Sequence, residues 1–294
     1  MREQTLAANG IELFVRDAGE GRPVVLLHGF PELGWSWRHQ VEPLAGAGCH
    51  VVVPDLRGYG GSSAPPEPEA YDHLTLAEDV VALMERFGHE RFTAVGHDWG
   101  AALAWLLALV HPDRVDAVAG LSVPALPRMA EPPITGLRRF AGEDFYMVWF
   151  QEPGVADAAL VRNVRRTLRT REIWGAEWAE RDDMPSRPRF WTEEDERVFV
   201  ETYERTGFTG GLNWYRAYDR TWELLEPYAG RTIDQPALFL TGSRDPVRRF
   251  APAEAMQGYV TDLETVVVEG AGHWVQQERP DEVNEALLAF LRRR

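Results

Sequence analysis

The sequence predicts an α/β fold: a mostly parallel sheet flanked by helices and interrupted by an all-helical insertion. Three observations carry that prediction. Short runs that are apolar throughout alternate with helical patterns in the first half of the chain, strand patterns vanish across the middle third, and they return before the C-terminus. Runs without polar alternation suit strands covered on both faces, the condition of a parallel sheet with crossover helices.

The first strands expected are VVLL at 24–27, HVVVPD at 50–55, FTAVG at 92–96 and DAVAGLSV at 116–123. Ahead of the third, Thr75 and Glu78 form a T-x-x-E capping box, Val80, Val81, Met84 and Phe87 follow at helical spacing, and Gly88 can end that helix. A second helix is expected from Ala101 to Val110. From Pro132 to Tyr228 the chain is rich in Arg, Glu, Trp and Tyr. One amphipathic helix there has Leu160, Val164 and Leu168 on one face and Arg162, Arg165, Arg166 and Arg169 on the other. PALFLTG at 236–242 and LETVVVEG at 263–270 resume the sheet, and a last helix, opened by Pro280, carries Val283, Leu287, Phe290 and Leu291. The organisation expected is a discontinuous core, 1–131 and 229–294, around a helical cap at 132–228. The cap is expected over the C-terminal ends of the strands, where open sheets keep their ligand crevice.

Composition narrows the chemistry. All 31 basic residues among the 294 are arginine. Without a lysine there is no amine for a Schiff base, no pyridoxal anchor and no P-loop ammonium, since an always-charged guanidinium cannot replace one. The single cysteine, Cys49, excludes an internal disulfide and a Cys-rich metal site, and it suits a reducing compartment. A net charge of -15 argues against nucleic acid as a partner. The longest apolar run, Ala101 to Val110, is ten residues against the ~20 that span a bilayer, and the start MREQTLAANG lacks a signal-like apolar stretch. The expectation is a cytoplasmic protein with no membrane partner, no cofactor and no metal.

The strongest local signal is GHDWG, Gly96 to Gly100, between the FTAV strand and the following helix. It reads as a strand-turn-helix elbow, whose glycines permit a sharp strained turn that lifts the central side chain above the sheet. That side chain is Asp98 and not serine. A carboxylate needs no base to activate it. It attacks an sp³ carbon bearing a leaving group, and the resulting ester must later be hydrolysed. The competing reading is that Asp98 simply caps the helix.

His273 in EGAGHW and Asp245 in TGSRDP each lie just past a strand pattern, and the chain order nucleophile, acid, histidine is one that such triads use. Asp245 is expected to fix the imidazole tautomer and leave the other nitrogen to take a proton from water. Taken singly, Asp245 also reads as an Asp-Pro turn and His273 as a structural histidine. His28 and His97 fall in motif loops, while His39, His50, His73, His89 and His111 sit in ordinary surface or helix-end contexts. Two backbone amides are candidates for an oxyanion hole. They are Trp99, next to Asp98, and Phe30 in HGFP, where Phe30-Pro31 is a candidate cis peptide. Ser62 and Ser63, in the loop RGYGGSSAP, lack the elbow and read as structural.

HGFPE, DLRGYGGSS, GHDWGA, FQEPG, LNWYR and GHW occur in that order. With them the chain resembles the soluble-type epoxide hydrolases of the α/β-hydrolase fold, from about Ile11 to Leu291. The resemblance implies a cofactor-free enzyme that converts an epoxide and water to a vicinal diol through an ester on Asp98. It also implies two cap tyrosines that assist the departing oxygen: Tyr146, six positions before Glu152 in DFYMVWFQEPG, and Tyr215 in NWYR. Phenols with an ordinary pKa of ~10 stay protonated at neutral pH and can donate to the alkoxide that appears as the ring opens. Phe30, Trp99, Tyr146 and Tyr215 are the expected substrate contacts. Aromatic packing is the alternative role for the tyrosines, since the insertion also holds Trp149, Trp174, Trp178 and Trp214. The expected partner is a small apolar epoxide, with water as co-substrate, and the expected assembly a monomer or homodimer. Two other readings stay open. Haloalkane and haloacetate dehalogenases share the Asp elbow, although this chain has Phe30 where the haloalkane branch usually places an Asn. A hydrolase-fold receptor that binds without turnover would keep its effect after loss of Asp98.

Overall fold

The apolar runs form the middle of one eight-stranded sheet. The computed structural model describes residues 1–170 and 175–293, so Trp174 lies outside the described residues. The strands are β1 (Arg2–Ala8), β2 (Ile11–Ala18), β3 (Arg22–Leu27), β4 (Cys49–Pro54), β5 (Phe92–His97), β6 (Val115–Leu121), β7 (Ala237–Gly242) and β8 (Leu263–Val268), in the order β1-β2-β4-β3-β5-β6-β7-β8. The β1-β2 and β2-β4 pairs are antiparallel and all the others parallel. Leu27 pairs with Gly96 and Gly96 with Gly120, so β3, β5 and β6 end level and the loops that follow them converge.

Period-two alternation divides each central strand between the two faces. Val25, Leu27, Val52 and Ala94 join one apolar cluster, Val24, Leu26, Val51 and Val95 the other. Each Val or Leu buried in this way contributes ~1.5–3 kcal/mol. Helices α1 (Arg38–Gly46), α2 (His73–Arg86) and α3 (Trp99–Val110) connect the first strands. Between β6 and β7 the described chain is helical or irregular: α4 (Pro133–Ala141), α5 (Tyr146–Trp149), α6 (Val155–Val161), α7 (Val164–Arg169), α8 (Ala176–Ala179), α9 (Glu193–Thr206), α10 (Thr209–Arg216) and α11 (Tyr218–Leu224). After β8 come α12 (Val275–Glu278) and α13 (Pro280–Arg292), the latter burying Val283, Leu287, Phe290 and Leu291 as its spacing predicts. Among the described residues no helix is long and apolar enough to cross a membrane.

Four expectations need correction. The edge hairpin β1-β2 escaped the reading; Asn9 and Gly10 turn it, both at positive φ. The cap of α2 is Asp72, whose side chain accepts the Thr75 amide at 3.0 Å, so Thr75 lies inside the helix and heads no capping box. The amphipathic helix of 160–169 is two helices, broken where Asn163 caps α7. Arg166 is not on its solvent face. It is buried against the Trp178 ring, 4.2 Å from the centroid, and donates to the carbonyls of Trp178 and Asp183 at 2.9 Å each.

Candidate active site

The elbow after β5 is strained and crowded. Asp98 has φ 53° and ψ -120°, a backbone that costs a non-glycine residue roughly 1–3 kcal/mol. A Cβ on Gly96 would lie 1.9 Å from the Gly100 carbonyl oxygen, and one on Gly100 would lie 2.1 Å from that of Leu27. Both glycines are therefore required for α3 to approach the sheet. Asp98 stands at the N-cap position of α3, yet its carboxylate makes no capping bond. It turns to the loop after β3, where Oδ1 accepts the Phe30 amide at 2.8 Å. Phe30-Pro31 is cis. Trp99, the other amide expected at this point, opens α3.

His273 Nε2 lies 3.5 Å from Asp98 Oδ2, and Nδ1 lies 3.2 Å from both Asp245 oxygens. The Asp245 carboxylate is shielded from solvent and also accepts the Val247 amide at 2.9 Å, so the Asp-Pro turn and the pairing with His273 coexist. Burial alone would lower the His273 pKa, but the Asp245 carboxylate, helped by Asp98, overrides it and raises the value to about 10. Burial likewise opposes the Asp245 charge, and His273 with the Val247 amide still holds this carboxyl below its ordinary range.

A titration follows from that balance. An opposite charge within ~4–6 Å favours the charged form, typically by ~1–3 units. Asp98→Asn removes one such charge, so the His273 midpoint is expected to fall by about one unit or more while Asp245 still keeps it raised. Imidazole NMR titration of both proteins checks this, and an unchanged midpoint would rule out the Asp98-His273 coupling.

Two tyrosines from the helical segment face the carboxylate. Tyr146 opens α5 and Tyr215 lies in α10, with ring centroids 6.0 Å apart. Gln151 donates to the carbonyls of Met147 and Tyr215 at 2.8 and 3.1 Å, and Arg216 donates to the Phe150 carbonyl at 3.0 Å and pairs with Asp157. The Trp214 indole fixes α10 to the β-sheet side by donating to the Arg57 carbonyl at 3.0 Å. FQEPG and LNWYR thus tie the two tyrosine-bearing helices together. Burial first, and then the Asp98 charge, push both hydroxyls above the ordinary tyrosine value, so both are protonated donors at neutral pH.

Asp98, His273, Tyr146, Tyr215 and Phe30 line one cavity of about 510 Å³, with Phe190 and Phe250 also in its wall. A second cavity of about 470 Å³, beside α3 and α11, is lined by none of these five. Trp99 does not line the first cavity; its ring packs edge-on against Tyr215, with centroids 4.9 Å apart. Among the described residues no cluster of three or more His, Cys, Asp or Glu could hold a metal.

Sequence reading missed a polar pair beneath His273. Buried Glu32 places Oε2 2.6 Å from His97 Nδ1, and His97 Nε2 lies 2.8 Å from the His273 carbonyl oxygen. Ser122, at φ 70°, donates to the same carbonyl at 2.6 Å. Glu32 and His97 lie inside HGFPE and GHDWG, so the available signal was their place in two motifs already carrying site residues. His73, read as an ordinary helix-end histidine, is buried between Trp99 and Tyr218 at 4.9 and 5.6 Å.

A family model described as alpha/beta hydrolase fold matches residues 22–280. Epoxide hydrolase A of Mycobacterium tuberculosis is 48% identical, over 98% of this chain and 97% of its own. Epoxide hydrolase 1 of Siraitia grosvenorii is 39% identical, over 99% and 98%. The crystal structure of epoxide hydrolase A from Mycobacterium thermoresistibile superposes with a TM-score of 0.94 at 48% identity, covering 99% of this chain and 98% of that one. These names fit the epoxide hydrolase reading and not the dehalogenase or receptor readings. Sheet order, elbow and full-length similarity together make the chain a member of the α/β-hydrolase-fold epoxide hydrolases.

Proposed function

We propose that this chain hydrolyses a small apolar epoxide to a vicinal diol through an ester on Asp98, and that 132–228 serves as the cap that supplies Tyr146 and Tyr215. The observation that carries the reading is a carboxylate on the elbow, in place of a hydroxyl, facing two protonated phenols across one cavity. The Phe30 amide engages Oδ1, which leaves Oδ2 to attack a ring carbon. The carbon-oxygen bond breaks and its electron pair stays on oxygen. One phenol gives that oxygen its proton while the other donates a hydrogen bond. Esterification removes the Asp98 charge, so His273 loses a partner that raised its pKa and returns a proton to the phenolate.

Neutral His273 then takes a proton from water as the water oxygen adds to Asp98 Cγ. Negative charge collects on Oδ1, at the Phe30 and Trp99 amides. The bond from Cγ to Oδ2-alkyl breaks, the remaining water proton passes from the added hydroxyl to the departing oxygen to complete the diol, and Asp98 is left a carboxylate beside protonated His273. The apolar walls around Phe30, Phe190 and Phe250 support an apolar substrate, and a single buried Cys49 suits a cytoplasmic setting, as monomer or homodimer.

Tyr146→Phe and Tyr215→Phe are each expected to lower kcat/KM for diol formation roughly 10²-fold, as loss of one oxyanion donor does. The measurement spans styrene oxide, terminal aliphatic epoxides and bulky internal epoxides. A double variant with unchanged kcat/KM, or halide release from haloalkanes without any diol from epoxides, overturns the reading.

A further inference from the structure

One carboxylate grips the backbone on both sides of His273. Glu278 ends α12, and its side chain folds back over the preceding turn: Oε2 accepts the Gly272 amide at 2.7 Å and Oε1 accepts the Trp274 amide at 3.1 Å. The Glu278 amide in turn donates to the Trp274 carbonyl at 2.9 Å, which closes a ring. The fit is tight, because a Cβ on Gly272 would lie 2.9 Å from Glu278 Oε1. On the far side, the His273 carbonyl is held by Ser122 and His97 at 2.6 and 2.8 Å. The amides flanking the histidine and its own carbonyl are thus all fixed, and Glu278 supplies both amide contacts.

We infer that Glu278 is a positioning residue for His273, acting on hydrolysis of the ester and not on its formation. The inference rests on the proposed Asp98 ester. Ring opening uses Asp98, Tyr146 and Tyr215, whereas the carboxylate of Glu278 is engaged by the Gly272 and Trp274 amides on either side of His273. Ester hydrolysis uses the imidazole, which must keep Nδ1 centred on Asp245 and Nε2 beside Asp98. Misplacing such a group by about 1 Å costs ~10²-fold in rate. For two steps in series, kcat/KM reports events up to ester formation and kcat is set by the slower step. A loss confined to the second step therefore lowers kcat and KM together.

Glu278→Gln keeps one acceptor and turns the other into an NH2 that confronts a backbone N-H. In single turnovers with styrene oxide, followed by mass spectrometry of the Asp98 peptide, ester formation is expected within about threefold of wild type. Ester decay is expected ~10- to 100-fold slower. Glu278→Asp, which keeps both oxygens on a shorter arm, is expected to fall between the two. Decay at the wild-type rate in Glu278→Gln overturns the inference alone, as does an equal slowing of both steps, the mark of a generally loosened fold. Absence of ester on wild-type Asp98 overturns the Asp98 reading, and this inference with it.

Discussion

Asp98→Asn is expected to lower diol formation by ~10⁴-fold or more, with little change in stability. The amide matches the carboxylate in shape, and its oxygen can still accept the Phe30 amide that Oδ1 accepts at 2.8 Å. Asn also tolerates positive φ, so the elbow at φ 53° stays accessible to it. What disappears is the nucleophile, because a neutral amide does not displace an alkoxide. A melting temperature within a few degrees of wild type, beside the lost turnover, separates chemistry from folding. The wild-type counterpart is a single turnover in heavy-oxygen water. Hydrolysis at Cγ leaves one water oxygen in the carboxylate, so the Asp98 peptide gains label. An unlabelled peptide would mean that water attacks the epoxide directly, and the covalent route would be lost.

The parts of this site that were legible share a property: their signal is local. Apolar runs such as VVLL mark strands because both faces of a central strand are buried, and the split of Val24 and Val25 between two clusters is its consequence. GHDWG is local because the glycines answer to atoms only a few residues away or on the adjacent strand. Asp245 and His273 were found through their places after strands. What stayed hidden depends on long-range contact. Glu32 meets His97 across 65 positions, and Ser122 meets His273 across 151. No spacing rule encodes such pairs. Arg166 illustrates the same limit: its helical position puts it on the polar face, and only the arrival of Trp178 makes that face an interior one. The α2 cap failed differently, since Asp72 and Thr75 both suit the role and the structure gives it to the earlier residue. The β1-β2 hairpin was local after all. Asn-Gly between alternating strands is a strong turn signal, and it joins Arg2–Ala8 to Ile11–Ala18 at the polar edge of the sheet, where no apolar run marks either strand.

His273→Gln is expected to stop the reaction halfway. Ring opening requires a carboxylate and proton donors, which Asp98, Tyr146 and Tyr215 still provide, so the ester should form within about tenfold of the wild-type rate. Its hydrolysis requires a base, and an uncharged amide cannot take a proton from water; loss of the corresponding triad function costs ~10⁴-fold or more. Intact protein should therefore gain the mass of one epoxide per chain, and diol release should cease after that single equivalent. Glutamine is the informative choice because Asp245 has no exposed side-chain surface and needs a donor. Removing one partner of a buried ion pair outright costs ~3–5 kcal/mol. The glutamine NH2 can offset part of that by donating to Asp245, which keeps its Val247 amide bond at 2.9 Å. A modest fall in melting temperature is therefore compatible with a folded, alkylated protein. Continued turnover near the wild-type rate would exclude His273 as the base. Loss of turnover without any adduct would place His273 in ring opening, where its positive charge beside Asp98 at 3.5 Å would have to matter to the first step as well.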